Sequence, residues 1–330
     1  MATYRNCKPA VKSMLTGLPR RKVLIGLGAA AGTSMLPALN KSHANATPRY
    51  PNMIGRVRHH VTKYEDTLLD LARWNGLGFT EMISANRNLD PWVPGEGVRL
   101  VIPSAHILPQ APREGMVINL ADQRIYVFDP ESTSVDSMPI GIGRSAWNTP
   151  IGRTNIVRKR ANPTWYVPAS IRKEDPELPA VVPPGPDNPL GHLAIYLGWP
   201  SYLVHGTNRP FGVGRRVSHG CVRLYPEDIG RLYHQVRIGT PVTVVDEELK
   251  IAWVGNKLML EVHPSQFQAD ALEAEGTFRP ELPPKFEYLF LDAAGAHSDR
   301  LDWPTIRRAL RARTGVPVTV ISVETDRLNG

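Results

Sequence analysis

Apolar residues in the segment 57–104 follow a pattern typical of a small βααβ unit. Residues 58–61 read as a short strand, and apolar residues recur at helical spacing over 67–74 and 81–86. A last apolar run, 97–103, ends at a proline and closes the unit as a second strand. The pattern predicts a module of its own, followed by a short proline-containing linker.

From residue 116 onward, short apolar segments separated by polar turns predict a mainly β domain. One helix is expected to begin at Pro226, because proline suits the first helical position. The apolar side of this helix indicates core rather than a site, and it consists of Ile229, Leu232, Tyr233 and Val236. We assign the β domain to residues 114–246. Its strands are predicted at 117–120, 124–128, 137–142, 154–159, 194–197 and 241–245.

A proline-dense stretch, 162–191, interrupts this β pattern. It holds eight prolines, which cannot donate hydrogen bonds to a strand ladder, so we expect a long loop there. Long ordered loops inside a domain are often lids or binding elements, and an irregular connection is the alternative. Beyond the β domain, a hairpin over 251–262, a helix over 304–313 and a strand over 316–323 predict a small α/β extension, residues 247–330.

The first 46 residues have the pattern of an export signal peptide. Seven basic residues and no acidic ones precede the small-residue site Ala44-Asn45-Ala46, and an apolar run covers 23–31. The pair Arg20-Arg21 favours the twin-arginine route, with Sec export as the alternative. Residues 47–56 would then be a linker. The apolar run is too short for a transmembrane span, so we expect none in the mature chain.

Removing this segment changes the charge of the protein. The full chain has 39 basic and 31 acidic residues, a net charge of +8. Without the seven basic residues of the signal, 32 basic residues stand against 31 acidic ones. A near-neutral mature chain lacks the electrostatic footprint of a nucleic-acid binder. We therefore expect no nucleic-acid partner.

Cys221 carries the most specific chemical signal. The only other cysteine, Cys7, lies in the signal segment, and exported proteins usually pair their cysteines. His205 lies 16 residues upstream, and a neighbouring imidazole lowers a thiol pKa enough to supply thiolate near neutral pH. The pattern predicts a nucleophilic cysteine, whereas the alternative is a buried, inert thiol among core histidines.

Residues around Cys221 supply the other requirements of acyl transfer. The backbone N–H groups of Gly220 and Cys221 lie in a tight turn where they can stabilise an oxyanion. Arg223 can bind a carboxylate in a bidentate manner. A zinc site built from His205, His219 and Cys221, with His192 or His234, fits no usual zinc spacing. The G-x-G-x-x-A match at 141–146 lacks the helix that a dinucleotide site needs, and we reject it.

Several motifs together resemble the L,D-transpeptidase (YkuD-type) family. They are H-G-T at 205–207, S-H-G-C-V-R-L at 218–224, T-P-I-G at 149–152 and P-D-N-P-L-G at 186–191. The resemblance is greatest to the ErfK/YbiS/YcfS/YnhG group of periplasmic enzymes. It implies a YkuD-like β-sandwich or barrel, no cofactor and no metal. The resemblance also implies roles for the site residues. Cys221 would be the nucleophile, and His205 the general acid/base, oriented by the Gly206 carbonyl. Ser218, His219 and Gly220 would shape the site, and Arg223 would contact the substrate carboxylate.

Residues 57–104 resemble a LysM domain, the family that binds glycans containing N-acetylglucosamine. Glu65 departs from that family, which usually carries glycine there, and a packing module without glycan binding is an equal alternative.

Together the resemblances imply a periplasmic enzyme acting on peptidoglycan tetrapeptide stems. Its acceptor would be another stem, giving a 3→3 cross-link, or an outer-membrane lipoprotein or β-barrel protein. The alternatives are a non-catalytic wall-binding protein and a cysteine peptidase or L,D-carboxypeptidase.

Overall fold

The computed structural model describes residues 49–323, and the predicted export segment lies outside them. The strands are β1 (Met53–Gly55), β2 (Arg58–Val61), β3 (Arg99–Ile102), β4 (Ala105–Ile107), β5 (Gly115–Asn119), β6 (Arg124–Phe128), β7 (Val135–Pro139), β8 (Ile142–Gly143), β9 (Gly152–Ala161), β10 (Trp165–Tyr166), β11 (Val181–Val182), β12 (Leu193–Leu197), β13 (Leu203–His205), β14 (Arg216–Ser218), β15 (Val222–Arg223), β16 (Pro241–Val245), β17 (Leu249–Val254), β18 (Lys257–Val262) and β19 (Val318–Ser322). The helices are α1 (Leu68–Trp74), α2 (Phe79–Ala85), α3 (Ala169–Glu174), α4 (Pro226–Gln235), α5 (Gln266–Glu275), α6 (Phe286–Ala294) and α7 (Trp303–Ala312), with 3₁₀ turns at Pro210–Gly212 and Gly295–Arg300.

An eight-stranded sheet forms the centre of the fold, in the order β15-β13-β12-β9-β16-β5-β6-β7. The pairs β16–β5 and β13–β15 are parallel, and the other neighbouring strands are antiparallel. One face packs against α4, whose Ile229 and Leu232 are fully buried among sheet residues such as Ile118 and Val204. The fold is mainly β, as the sequence predicts.

Within residues 49–323, the cover on the opposite face of the sheet lies over β5 and β6. On β5 and β6, Val117, Tyr126 and Phe128 are buried against Tyr50 and Leu108. Alternate residues of the same two strands face α4, so these strands are buried on both sides. The covering segments come from the start of the described chain and from the linker before β5.

The strand–helix–helix–strand unit expected at 57–104 is present as β2, α1, α2 and β3, with β2 and β3 antiparallel. Thr67 caps α1 by accepting a hydrogen bond from the Asp70 N–H. The unit's apolar core is completed by Leu272 on α5 and by Phe278 just beyond it. Its core is therefore shared with the C-terminal extension.

The C-terminal extension contains more helix than the sequence predicts. The hairpin β17–β18 and the strand β19 form a three-stranded sheet that packs against α6 and α7. The helix α7 and the strand β19 occur close to their predicted bounds, whereas α5 and α6 were not predicted. The long loop 162–191 contains the short pair β10–β11 and the helix α3.

Candidate active site

Two parallel strands at one edge of the sheet position the predicted histidine and arginine. In the register of β13 and β15, Val204 lies opposite Val222, and His205 lies opposite Arg223. Both valines are buried against α4. Because side chains alternate along a strand, His205, Cys221 and Arg223 belong to the other face. The structure thus brings these three sequence-predicted residues to one side of one sheet edge.

Cys221 immediately precedes β15 and is the only cysteine among residues 49–323. Its side chain is partly exposed, and its thiol donates a weak hydrogen bond to the Ser201 carbonyl at 3.6 Å. Burial raises the pKa of the thiol, although a backbone contact with Leu203 and the positive charge of Arg223 act against this. The thiol is therefore protonated near neutral pH in this state.

His205 is buried, and its Nδ1–H donates to the Gly206 carbonyl at 2.5 Å. A carbonyl oxygen only accepts, so the proton lies on Nδ1 and Nε2 remains as a free base. Burial and the positive charge of Arg223 lower the pKa of His205 to about 3. The expectation that an imidazole would lower the thiol pKa is wrong for this resting state. Desolvation is the largest influence on both groups, so thiol and imidazole are both neutral.

The turn at 218–221 is held by its own side chains. The Ser218 hydroxyl donates to the Cys221 carbonyl at 2.5 Å and accepts from the Gly220 N–H at 3.2 Å. Gly220 has φ +97°, and a Cβ there would lie 2.9 Å from the Tyr202 ring, so only glycine fits. The Thr149 hydroxyl donates to the Gly220 carbonyl at 2.9 Å. In this structure the Gly220 N–H donates to the Ser218 hydroxyl, and the oxyanion role expected of Gly220 stays a prediction.

Arg223 presents buried nitrogen that lacks a protein partner. Its backbone pairs with Gly141 in both directions at 2.9 Å, which fixes the residue in place. Its Nε is buried without a hydrogen-bond acceptor among residues 49–323. A buried donor of this kind is costly unless a ligand satisfies it. Arg223 thus places a guanidinium group on the same face of the sheet as His205.

The proline-dense loop contacts the cysteine turn through Glu174, the last residue of α3. The Glu174 carboxylate pairs with Arg144, accepts from the Trp147 Nε1–H at 3.0 Å and lies 3.1 Å from His219 Nε2. A hydrogen bond from His219, followed by those from Trp147 and Arg144, lowers the pKa of Glu174. His219 therefore contacts the loop. Sequence reasoning missed Arg144, Trp147 and Glu174, since nothing in the sequence relates them to the cysteine.

The remaining candidates from the sequence have no site of their own. No three His, Cys, Asp or Glu side chains in the described part of the chain are arranged to hold a metal ion. The G-x-G-x-x-A match lies on β8 and the turn after it, without a following helix. None of the helices between residues 49 and 323 is long and apolar enough to cross a membrane.

Comparison with known proteins gives consistent matches. A family model described as YkuD, L,D-transpeptidase catalytic domain, matches residues 113–244. The Escherichia coli K12 protein named "Probable L,D-transpeptidase YcfS" is 39% identical over 305 residues, covering 88% of this chain and 92% of that protein. "Probable L,D-transpeptidase ErfK/SrfK" of the same organism is 38% identical, with coverage of 85% and 93%. The solved L,D-transpeptidase 3 from Mycobacterium tuberculosis is 20% identical, covering 45% of this chain and 67% of its own, with a TM-score of 0.32.

Proposed function

This chain belongs to the YkuD family of L,D-transpeptidases and is an L,D-transpeptidase; from that premise we propose that it modifies peptidoglycan through an acyl-enzyme on Cys221. The observation that carries the proposal is the placement of a free thiol and a singly protonated imidazole on one sheet edge. The Gly206 carbonyl holds the His205 tautomer that leaves Nε2 as the base. Arg223 supplies a cation beside them.

The first half-reaction transfers an acyl group to sulfur. His205 Nε2 takes the thiol proton as Cys221 Sγ attacks the carbonyl of the third stem residue, a diamino acid. The Cys221 N–H is the proposed oxyanion donor, because the Gly220 N–H is bonded to Ser218. The C–N bond then breaks, His205 protonates the leaving amine, and D-Ala departs. Arg223 binds the carboxylate of that terminal D-Ala.

The second half-reaction releases the acyl group to an amine. The acceptor amine attacks the thioester, His205 takes its proton, and the thiol is restored as the C–S bond breaks. The acceptor is another stem, giving a 3→3 cross-link, or a lysine of an outer-membrane protein. His205 is uncharged at rest, so its imidazole can accept the thiol proton in the first half-reaction and the amine proton in the second.

Purified mature protein incubated with tetrapeptide muropeptides tests this proposal by product mass. Dimers that have lost one D-Ala support transpeptidation, and tripeptide monomers alone would indicate an L,D-carboxypeptidase. Unchanged substrate would contradict the proposal.

We further propose that residues 57–104 bind the glycan strands of the wall. Exposed aromatic side chains support this: Tyr64 is 88% exposed, Trp74 70% and Trp92 56%. The loops that hold Tyr64 and Trp92 are joined by a bond from the Leu68 N–H to the Pro91 carbonyl at 2.8 Å. Mature Cys221→Ala protein should pellet with insoluble peptidoglycan.

A variant carrying Tyr64→Ala and Trp92→Ala should pellet less. Its matched control is Tyr288→Ala on α6, where the ring is 71% exposed. Equal pelleting of all three proteins would contradict glycan binding by this module.

We place the enzyme in the periplasm, exported by the twin-arginine route. Retention of an Arg20→Lys, Arg21→Lys precursor in the cytoplasm would support this route, and normal export would contradict it.

A further inference from the structure

The sheet face that carries Cys221 and His205 continues across two more strands. In the register of β12 with its neighbours, Ala194 lies opposite both His205 and Arg160, and Tyr196 lies opposite both Leu203 and Arg158. Ile195 is buried against α4 on the other face. Two rows of side chains therefore cross the sheet from β13 to β9. One row ends at Arg160 and the other at Arg158.

Independent contacts confirm which face these arginines occupy. Lys159, between them in sequence, reaches the opposite side, where its Nζ donates to the Val236 carbonyl at 2.7 Å at the end of α4. Arg158 stacks on the Tyr196 ring, with its Cζ 3.8 Å from the ring centroid. Arg158 and Arg160 thus share the face of His205, and Tyr196 orients one of them.

Neither arginine has an acidic partner among the residues of known position. Arg153, on the same strand, pairs with Glu114 at 3.4 Å, but none of the ion pairs within 49–323 includes Arg158 or Arg160. Both side chains are exposed. Two unpaired guanidinium groups on an exposed strand next to an acyl-transfer site are suited to carboxylates of an extended substrate.

The distances match a short extended peptide. Strands lie about 4.8 Å apart, so the Cα of Arg160 is roughly 10 Å from that of His205, two strands away. An extended chain advances about 3.4 Å per residue, so roughly three residues cover that gap. A stem whose third residue is a diaminodicarboxylic acid presents a free carboxylate within that span.

We propose that Arg158 and Arg160 form a carboxylate-binding subsite for the stem peptide, with Tyr196 as the platform that orients Arg158. This subsite rests on the proposed function for its ligand. The donor stem and the acceptor stem carry the same carboxylates, so either stem could be the one that binds. The experiment therefore separates binding of the stem from the two chemical steps.

Binding is measured first, with labelled tetrapeptide stem and mature Cys221→Ala protein, which cannot turn over. Arg158→Gln, Arg160→Gln in that background should weaken binding by about tenfold, because each exposed ion pair contributes up to about fivefold. Amidation of the stem carboxylates other than that of the terminal D-Ala, which Arg223 binds, should weaken binding to the parent protein by a similar factor and have little further effect on the double variant. Arg158→Lys, Arg160→Lys should retain most of the affinity. Arg311→Gln, an exposed arginine on α7, is the control.

Kinetics in the Cys221 enzyme then assign the stem. Slower acyl-enzyme formation in the arginine variant identifies the donor stem, and slower aminolysis alone identifies the acceptor. Acylation by a carbapenem, which lacks a stem, should change by less than about twofold. Affinity that is unaffected by the arginine substitutions or by amidation overturns the subsite. A protein that binds amidation-sensitive stems but transfers no acyl group would instead overturn the proposed function.

Discussion

Lys250 on β17 is completely buried, and its replacement tests how the C-terminal extension is joined to the catalytic sheet. Its Nζ lies 2.8 Å from Asp122 Oδ2 in the β5–β6 turn and 3.0 Å from Glu261 Oε1 on β18. It also donates to the Tyr126 hydroxyl at 3.2 Å. Lys250→Met removes the cation and leaves two buried carboxylates without it.

The expected loss is large. Breaking a buried ion pair by removing one partner costs about 3–5 kcal/mol, against a total stability of about 5–15 kcal/mol for a folded protein. We expect Lys250→Met to lower the free energy of unfolding by about 4 kcal/mol in urea denaturation at pH 7. The control is Lys257→Met, an exposed lysine on the same hairpin, which should change stability by less than about 0.5 kcal/mol. A loss below about 1 kcal/mol for Lys250→Met would refute the reasoning.

The pH dependence provides a second check. Burial alone would raise the pKa of Asp122 and Glu261, but the charge of Lys250, together with His263 and the hydrogen bonds to the two carboxyls, lowers both. A carboxyl with a lowered folded-state pKa stabilises the protein above its unfolded pKa of about 4, and this contribution is lost as the pH falls through the folded value. The difference between wild type and Lys250→Met should therefore shrink as the pH falls towards and through the lowered folded-state pKa values of the two carboxyls. A constant difference would contradict the assignment.

Three further outcomes follow from the site. His205→Gln should slow acylation of Cys221 by a tetrapeptide stem by about 100-fold or more, because general-base catalysis is lost; a rate within threefold of wild type would assign the base elsewhere. Iodoacetamide alkylation of Cys221 should rise about tenfold per pH unit from about pH 6 to 9, because burial raises the thiol pKa; a plateau near pH 6 would indicate a thiolate–imidazolium pair. Glu174→Gln should speed proteolysis within residues 162–191 by about threefold relative to Glu177→Gln, since Glu174 joins that loop to the cysteine turn; equal rates would contradict this contact.

The sequence predicts α4 and the longer strands of the central sheet well, because their apolar periodicity reports directly on burial, but it does not predict the short strands β13 and β15. It misses α6, where Tyr288, Leu289 and Leu291 are exposed, so the helix has no clear apolar face. For α5 a usable signal exists: Ser265 and Gln268 form a capping box, and Gly276 ends the helix with a left-handed φ.

Local sequence motifs predict the site residues that lie within those motifs, but not the residues that the fold brings to them. The chemistry of Cys221, His205 and Arg223 follows from their types and spacing. The charge states do not, because the pKa of His205 depends on burial beneath residues distant in sequence. The sequence likewise does not distinguish Lys250 from an exposed lysine next to the predicted hairpin. Only the tertiary fold places it beside Asp122.

The central claim is that Cys221 carries the acyl group, and intact-protein mass spectrometry tests it most directly. Mature enzyme mixed with a tetrapeptide stem, without an acceptor amine, should gain the mass of the stem acyl group with D-Ala lost. Peptide mapping should place this thioester on Cys221, and an added amine should remove it. The Cys221→Ala protein, with the same fold, should stay unmodified. Turnover by Cys221→Ala, or an adduct mapped to any other residue, would contradict the account.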